Sequence, residues 1–169
     1  MHHSRRRSVA ALVAVVAGTV ALTGCSSHED AVPEDHGQQW MSQMSADLAG
    51  DFGGGGGRLT LGDDTPGKAT ASIALEQDLE GPYDVLAVCR STKTVHLSVR
   101  AFTTSPDGSG ASLDAEEGLG AADIHCGATT RVPIDVPKGR DGIAIDASTS
   151  DRSGRALFDS FIVARGDKA

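Results

Sequence analysis

The stretch "TVHLSVRAF" (residues 94–102) decides the fold. Val95, Leu97, Val99 and Ala101 alternate with His96, Ser98 and Arg100. A period of two sends the apolar set to one face of a strand and the polar set to the other. A strand buried on one side belongs to an antiparallel sheet with one solvated face. His96 is accordingly expected as an exposed surface residue. The same period recurs in "RLTLGD" (58–63), "KATASIALE" (68–76), "YDVLAVCRS" (83–91), "ADIHCG" (122–127), "TTRVPIDVP" (129–137), "GIAIDAS" (142–148) and "ALFDSFIVAR" (156–165). Gly, Pro, Asp and Ser separate these runs, as turns require.

Seven or eight short strands over residues 58–166 predict an all-β domain, an antiparallel β-sandwich of Ig-like or jelly-roll type. "YDVLAVC" is apolar on both faces and reads as a central strand. Pro133 removes a ladder donor and is expected at an edge or a bulge. The longest gap between the runs is "TTSPDGSGASLDAEEGLGA" (residues 103–121). Hairpin loops usually take about two to five residues, so this stretch reads as a long connection. It carries Asp107, Asp114, Glu116 and Glu117 and no basic residue. These four form the candidate interaction loop, expected to attract a basic partner or a cation.

Toward the N-terminus the period changes. Residues 53–57 are five consecutive glycines and read as a hinge; no GK[ST] follows, so no phosphate loop is implied. Across residues 38–52, Trp40, Met44 and Leu48 recur at i, i+4 and i+8 with Met41 alongside. That is the stripe of a short amphipathic helix, expected to pack on the domain. Residues 25–37 are polar and acidic, contain Pro33, and read as a flexible tether. Before them, Arg5, Arg6 and Arg7 precede an uncharged apolar run over residues 9–23. At 15 residues it is short of the roughly 20 needed to span a bilayer. A charged start, a short apolar core and a small-residue exit make a signal peptide over residues 1–24.

The exit is "LTGC", Leu22-Thr23-Gly24-Cys25. It resembles the lipobox of bacterial lipoproteins at all four positions. The resemblance covers residues 1–25 and names no family for the rest. It implies a diacylglycerol on the Cys25 thiol, cleavage between Gly24 and Cys25, and a protein held on the outer, extracytoplasmic face of a bacterial cell membrane. "SRRRSV" (residues 4–9) also loosely resembles a twin-arginine export signal but departs from it at Ser8; the general secretory route is favoured.

Removing residues 1–24 takes away three basic residues and no acidic one, which moves the net charge from −8 to −11. Nucleic-acid binders need basic surface, so none is expected as a partner. The same balance argues against electrostatic adhesion to anionic lipid; attachment is expected through the acyl chains. With Cys25 lipidated, Cys89 and Cys126 remain. An even remainder in an exported domain predicts a disulfide with both sulfurs facing inward. Neither cysteine has CxxC or HxxxH spacing, so no metal site is read.

Catalytic signals are sparse. There is no GxSxG, and the carboxylate pairs Asp63–Asp64, Asp78 with Glu80, and Glu116–Glu117 read as solvated turns. His28 and His36 lie in the tether, where holding a metal would cost ordering entropy. No alternating Asp ladder marks a calcium loop. Sugar rings stack on Trp or Tyr, but the sandwich offers Tyr83 and no Trp, and Trp40 lies outside it. The expectation is a non-enzymatic, membrane-anchored interaction domain with no cofactor beyond its lipid and an envelope protein or small ligand as partner. The alternative is a small-ligand or carbohydrate-binding module, with calcium as a stabiliser; an enzyme with an unrecognised site comes third.

Overall fold

The computed structural model describes residues 32–48, 52–62, 65–104 and 111–166, with the side chains of 48 and 111–116 excepted. The signal peptide, Gly24, Cys25, His28, Asp63, Asp64 and Asp107 lie outside the described residues, as do the side chains of Asp114 and Glu116. Among the described residues, one helix, α1 (Gln38–Leu48), is followed by nine strands: β1 (Gly54–Arg58), β2 (Thr60–Leu61), β3 (Ala69–Glu76), β4 (Gly81–Arg90), β5 (Val95–Thr104), β6 (Ala111–Ile124), β7 (Thr130–Val136), β8 (Gly142–Thr149) and β9 (Leu157–Ala164).

The strands form two sheets in the orders β1-β9-β4-β7 and β2-β3-β8-β5-β6. Every pairing is antiparallel. First strand pairs with last, and the chain crosses between sheets at every connection except the β2–β3 and β5–β6 hairpins. That winding is a jelly roll and not an Ig sandwich, whose second strand pairs with its fifth. The two inner faces meet in one core that includes Val85 and Ala87 of β4, Val95, Leu97 and Val99 of β5, Val132 and Ile134 of β7, Ile143 and Ile145 of β8, and Phe158 and Ile162 of β9. β5 follows the alternation that its sequence predicts, with Val95, Leu97, Val99 and Ala101 buried and His96 exposed. Pro133 sits on β7, an edge strand.

Cys89 and Cys126 are bonded, with Cα atoms 4.6 Å apart. Cys89 lies on β4 of the four-stranded sheet and Cys126 just after β6 of the other. The bridge therefore ties one sheet to the other. β4 is central, between β9 and β7, but it is not apolar on both faces. Asp84 points to the outer face and is buried. Its carboxylate accepts from Arg131 Nη1 at 2.7 Å and Arg165 Nε at 3.2 Å. Two cations and their hydrogen bonds are what such a buried charge needs.

Three expectations are corrected. The glycine run is no hinge: Gly54–Arg58 is an edge strand registered on Phe161–Leu157 of β9. A Cβ on Gly54 would meet the Ser160 carbonyl, and one on Gly56 the Phe158 carbonyl and Asp159. The glycines serve close backbone approach, and the sandwich begins at Gly54 instead of residue 58. Most of residues 103–121 is strand as well. β5 runs to Thr104 and β6 resumes at Ala111, and β6 pairs with β5 through two register shifts. Shifts of this kind absorb unpaired residues and twist an edge strand. Finally, residues 32–37 of the tether are docked. Pro33 O accepts from Arg58 Nη1 at 3.4 Å, His36 Nε2 is 3.2 Å from Arg155 O, and Gly37 packs on Leu157. The helix they lead into lies on the outer face of the β1–β9 pair, where Ser45 Oγ donates to Asp159 Oδ2 at 3.4 Å.

Candidate functional site

Register places the loops at two ends. The residues that close β1, β4, β6 and β8 lie at one end, together with residues 32–37, through which the chain enters the sandwich. The opposite end holds the β3–β4 and β7–β8 connections and the β5–β6 hairpin. There Glu76, Asp78, Glu80, Glu117, Asp135 and Asp141 are all exposed.

A cavity of about 460 Å³ opens among Glu76, Gln77, Asp78, Thr104, Arg140 and Asp141. Hydrogen bonds frame it. Asp141 Oδ2 accepts from the Thr104 N–H at 2.6 Å and from its hydroxyl at 2.7 Å. Those two bonds hold the Asp141 carboxyl below its ordinary range. Arg140 reaches across to the hairpin, donating to Glu117 Oε2 at 2.7 Å and to Thr103 Oγ1 at 3.4 Å. Glu76 and Asp78 accept no side-chain hydrogen bond from other described residues. Their charges are left to the solvent or to a partner.

Of the four residues of the expected interaction loop, Glu117 belongs to this end, on β6 beside Arg140. Asp114 and Glu116 lie on the same strand. What sequence reading missed is Glu76, Arg140 and Asp141, with Thr104 as the partner of Asp141, contributed by three separate connections. "GRDG" (residues 139–142) reads as any polar turn. Only the crossing connections of the jelly roll bring it against β5.

The outer face of the five-stranded sheet is a second polar surface of different character. His96 Nδ1 lies 2.9 Å from Asp123 Oδ1, and both side chains are more than half exposed. Arg100 Nε donates to Asp146 Oδ2 at 2.9 Å, and Ser72 Oγ to Asp146 Oδ1 at 2.6 Å. A cleft of about 250 Å³ runs beside them. These groups satisfy one another, so the face carries little unspent charge. Among the described residues, no three His, Cys, Asp or Glu side chains converge as a metal site.

No family model matches this chain. No curated protein matches it either. The solved structures similar at low level include two of known source. One is the Clostridium thermocellum N-terminal endo-1,4-β-D-xylanase 10B, CBM22-1 and GH10 modules complexed with xylohexaose: 18% identity over 57% of this chain and 20% of that one, TM-score 0.33. The chain thus spans about one-fifth of the xylanase chain's length. The other is the Yersinia pseudotuberculosis-derived mitogen: 13% identity over 69% of this chain and 88% of that one, TM-score 0.37. Neither likeness is close enough to bear on function.

Proposed function

We propose that this protein is a lipid-anchored lipoprotein of the outer face of a bacterial cell membrane, and that its jelly roll is a non-enzymatic interaction domain whose acidic end meets a basic partner. One observation carries the reading: the chain enters the sandwich at one end, and six exposed carboxylates gather at the other. A domain tethered at the first end presents the second outward. The "LTGC" motif supports the anchor, and the net charge of −11 after cleavage supports a cationic partner.

The test is cross-linking and capture of envelope proteins from cells, comparing the natural chain with the triple variant E76Q/D78N/D141N. Capture should fall several-fold in the variant and weaken with added salt, because exposed charges are screened beyond about 8 Å at physiological ionic strength. Equal capture by both proteins at every salt concentration would remove the acidic end from the proposal. The anchor is tested separately: Cys25→Ala should abolish labelling with a fatty-acid probe, and persistent labelling would refute lipidation.

A further inference from the structure

Trp40 is the chain's one tryptophan. It stands on the first turn of α1, half-buried, and lines two cavities. The smaller, about 260 Å³, is set over Met44, Val88, Cys89, Ala128 and Thr129. The larger, about 590 Å³, is lined by Asp35, Gln38, Gln39, Gln43 and Arg90 as well as Trp40. That volume lies within the range of small-molecule sites, about 300–1,000 Å³.

The larger cavity gathers hydrogen-bonding capacity that the protein does not use. Among the described residues, the side chains of Asp35, Gln38, Gln39, Gln43 and Arg90 make no hydrogen bond or ion pair, and Trp40 makes no ring–ring contact. Tyr83, by contrast, packs against the core and is engaged edge-on with Phe52, centroids 5.1 Å apart. On the helix surface Gln43 is neighbour to both Gln39 (i, i+4) and Trp40 (i, i+3). Arg90 enters from the end of β4, and Asp35 from the docked part of the tether. Three elements therefore converge on one opening.

We propose that this cavity is a saccharide-binding site, with Trp40 as the stacking surface. A pyranose ring has an apolar C–H face and a hydroxyl edge. An indole matches the first. The edge needs partners that both donate and accept, and primary amides do both, while a guanidinium only donates and a carboxylate only accepts. The lining holds one cation and one anion, so it favours a neutral, hydroxyl-rich ligand over a phosphate. The site needs only that the domain binds a ligand, and it is separate from the acidic end.

The single tryptophan makes the site its own reporter. Tryptophan emission of the full chain, in a detergent without a sugar headgroup, is followed while tetrasaccharides of glucose, mannose, arabinose or N-acetylglucosamine are added. Calorimetry runs in parallel. At least one glycan should shift or quench the emission saturably. Q43A and R90A, both surface changes, should weaken binding about tenfold with an unchanged circular dichroism spectrum, and W40A should abolish the heat. E76Q/D78N/D141N should bind as the natural chain does, which separates this site from the acidic end. Three results would each overturn the proposal: no response to any of the four glycans, a response unaltered in Q43A and R90A, or an equal response to inorganic phosphate alone.

Discussion

Asp151 and Asp159 are both buried, one in the turn before β9 and one within it. Asp151 Oδ2 accepts from Ser91 Oγ at 3.0 Å, Thr92 N at 3.1 Å and Thr92 Oγ1 at 2.9 Å, and Oδ1 accepts from Ser153 N at 3.0 Å. Hydrogen bonds from Ser153, then Thr92, hold its carboxyl well below the ordinary range. The stability it contributes is present above the unfolded pKa of about 3.8 and is lost as pH falls through the folded value. Asp151→Asn can keep one acceptor oxygen for the Ser91 and Thr92 donors, but its NH2 then faces the Ser153 N–H in place of Oδ1; with the charge also lost, it should cost about 2 kcal/mol at pH 7 in a denaturant titration. Asp159 has the opposite sign. Burial raises its pKa, against the opposing bonds from Ser160 N–H and the Ser45 hydroxyl. Its contribution is present below the unfolded value and is lost as pH rises through the folded one. Asp159→Asn keeps an acceptor for Ser160 N–H and gains a donor for Ser45. It should raise stability at pH 7 by an amount of order 1 kcal/mol, with the gain gone once the pH lies below both values. A variant less stable than the natural chain at pH 7 would refute this account. Alternation in "ALFDSFIVAR" assigns Asp159 to the solvated face of its strand. The helix laid over that face is a tertiary fact, and it is the helix that buries the carboxylate.

At the scale of elements, β1 is a strand made almost wholly of glycine. Local propensity opposes it, because glycine loses the most backbone entropy on ordering and has no side chain to pack. Its partner strand explains the composition. The outward positions, Gly54 and Gly56, sit against the β9 backbone with no room for a Cβ, whereas a Cβ on Gly57 would meet nothing within 4 Å. Gly56→Ala should therefore cost about 1–3 kcal/mol through overpacking. Gly57→Ala should be neutral or stabilising by about 0.4–1 kcal/mol, since it restricts only the unfolded chain. Melting temperatures of the two variants check this, and equal losses would mean that the glycines act through propensity alone. A reading by composition cannot separate such a strand from a linker, because the constraint lies in another strand about a hundred residues away. The first part of β6, residues 111–121, went unread for a related reason. Its Gly, Ser and acidic residues suit a loop, and only pairing with β5 makes them an edge. Where alternation was strong, as in β5 and β7, the elements were legible almost residue by residue.

At the scale of the whole molecule, the Cys89–Cys126 bridge closes a separation of 37 residues between the two sheets. On the chain-entropy model this is worth about 4 kcal/mol. The double variant C89A/C126A should lose about that much in a denaturant titration, and should match the natural chain measured under reducing conditions. A loss that reduction does not reproduce would assign the effect to packing and not to the cross-link. The pairing was legible because only two cysteines remain once Cys25 is set aside, and Cys89 shares the parity of Val85 and Ala87, which face the core. The sequence by itself determined what depends on neighbours in the chain: the period of two, and with it a half-buried antiparallel sandwich, the outward turn of His96, the edge position of Pro133 and the short helix at Trp40. Tertiary structure alone decided jelly roll over Ig-like winding, β1 over hinge, and which connections gather at the acidic end. Alternation records which face of a strand meets the core. It carries no record of which strand lies beside it, because backbone hydrogen bonds are the same for every pairing and only the three-dimensional register selects among them.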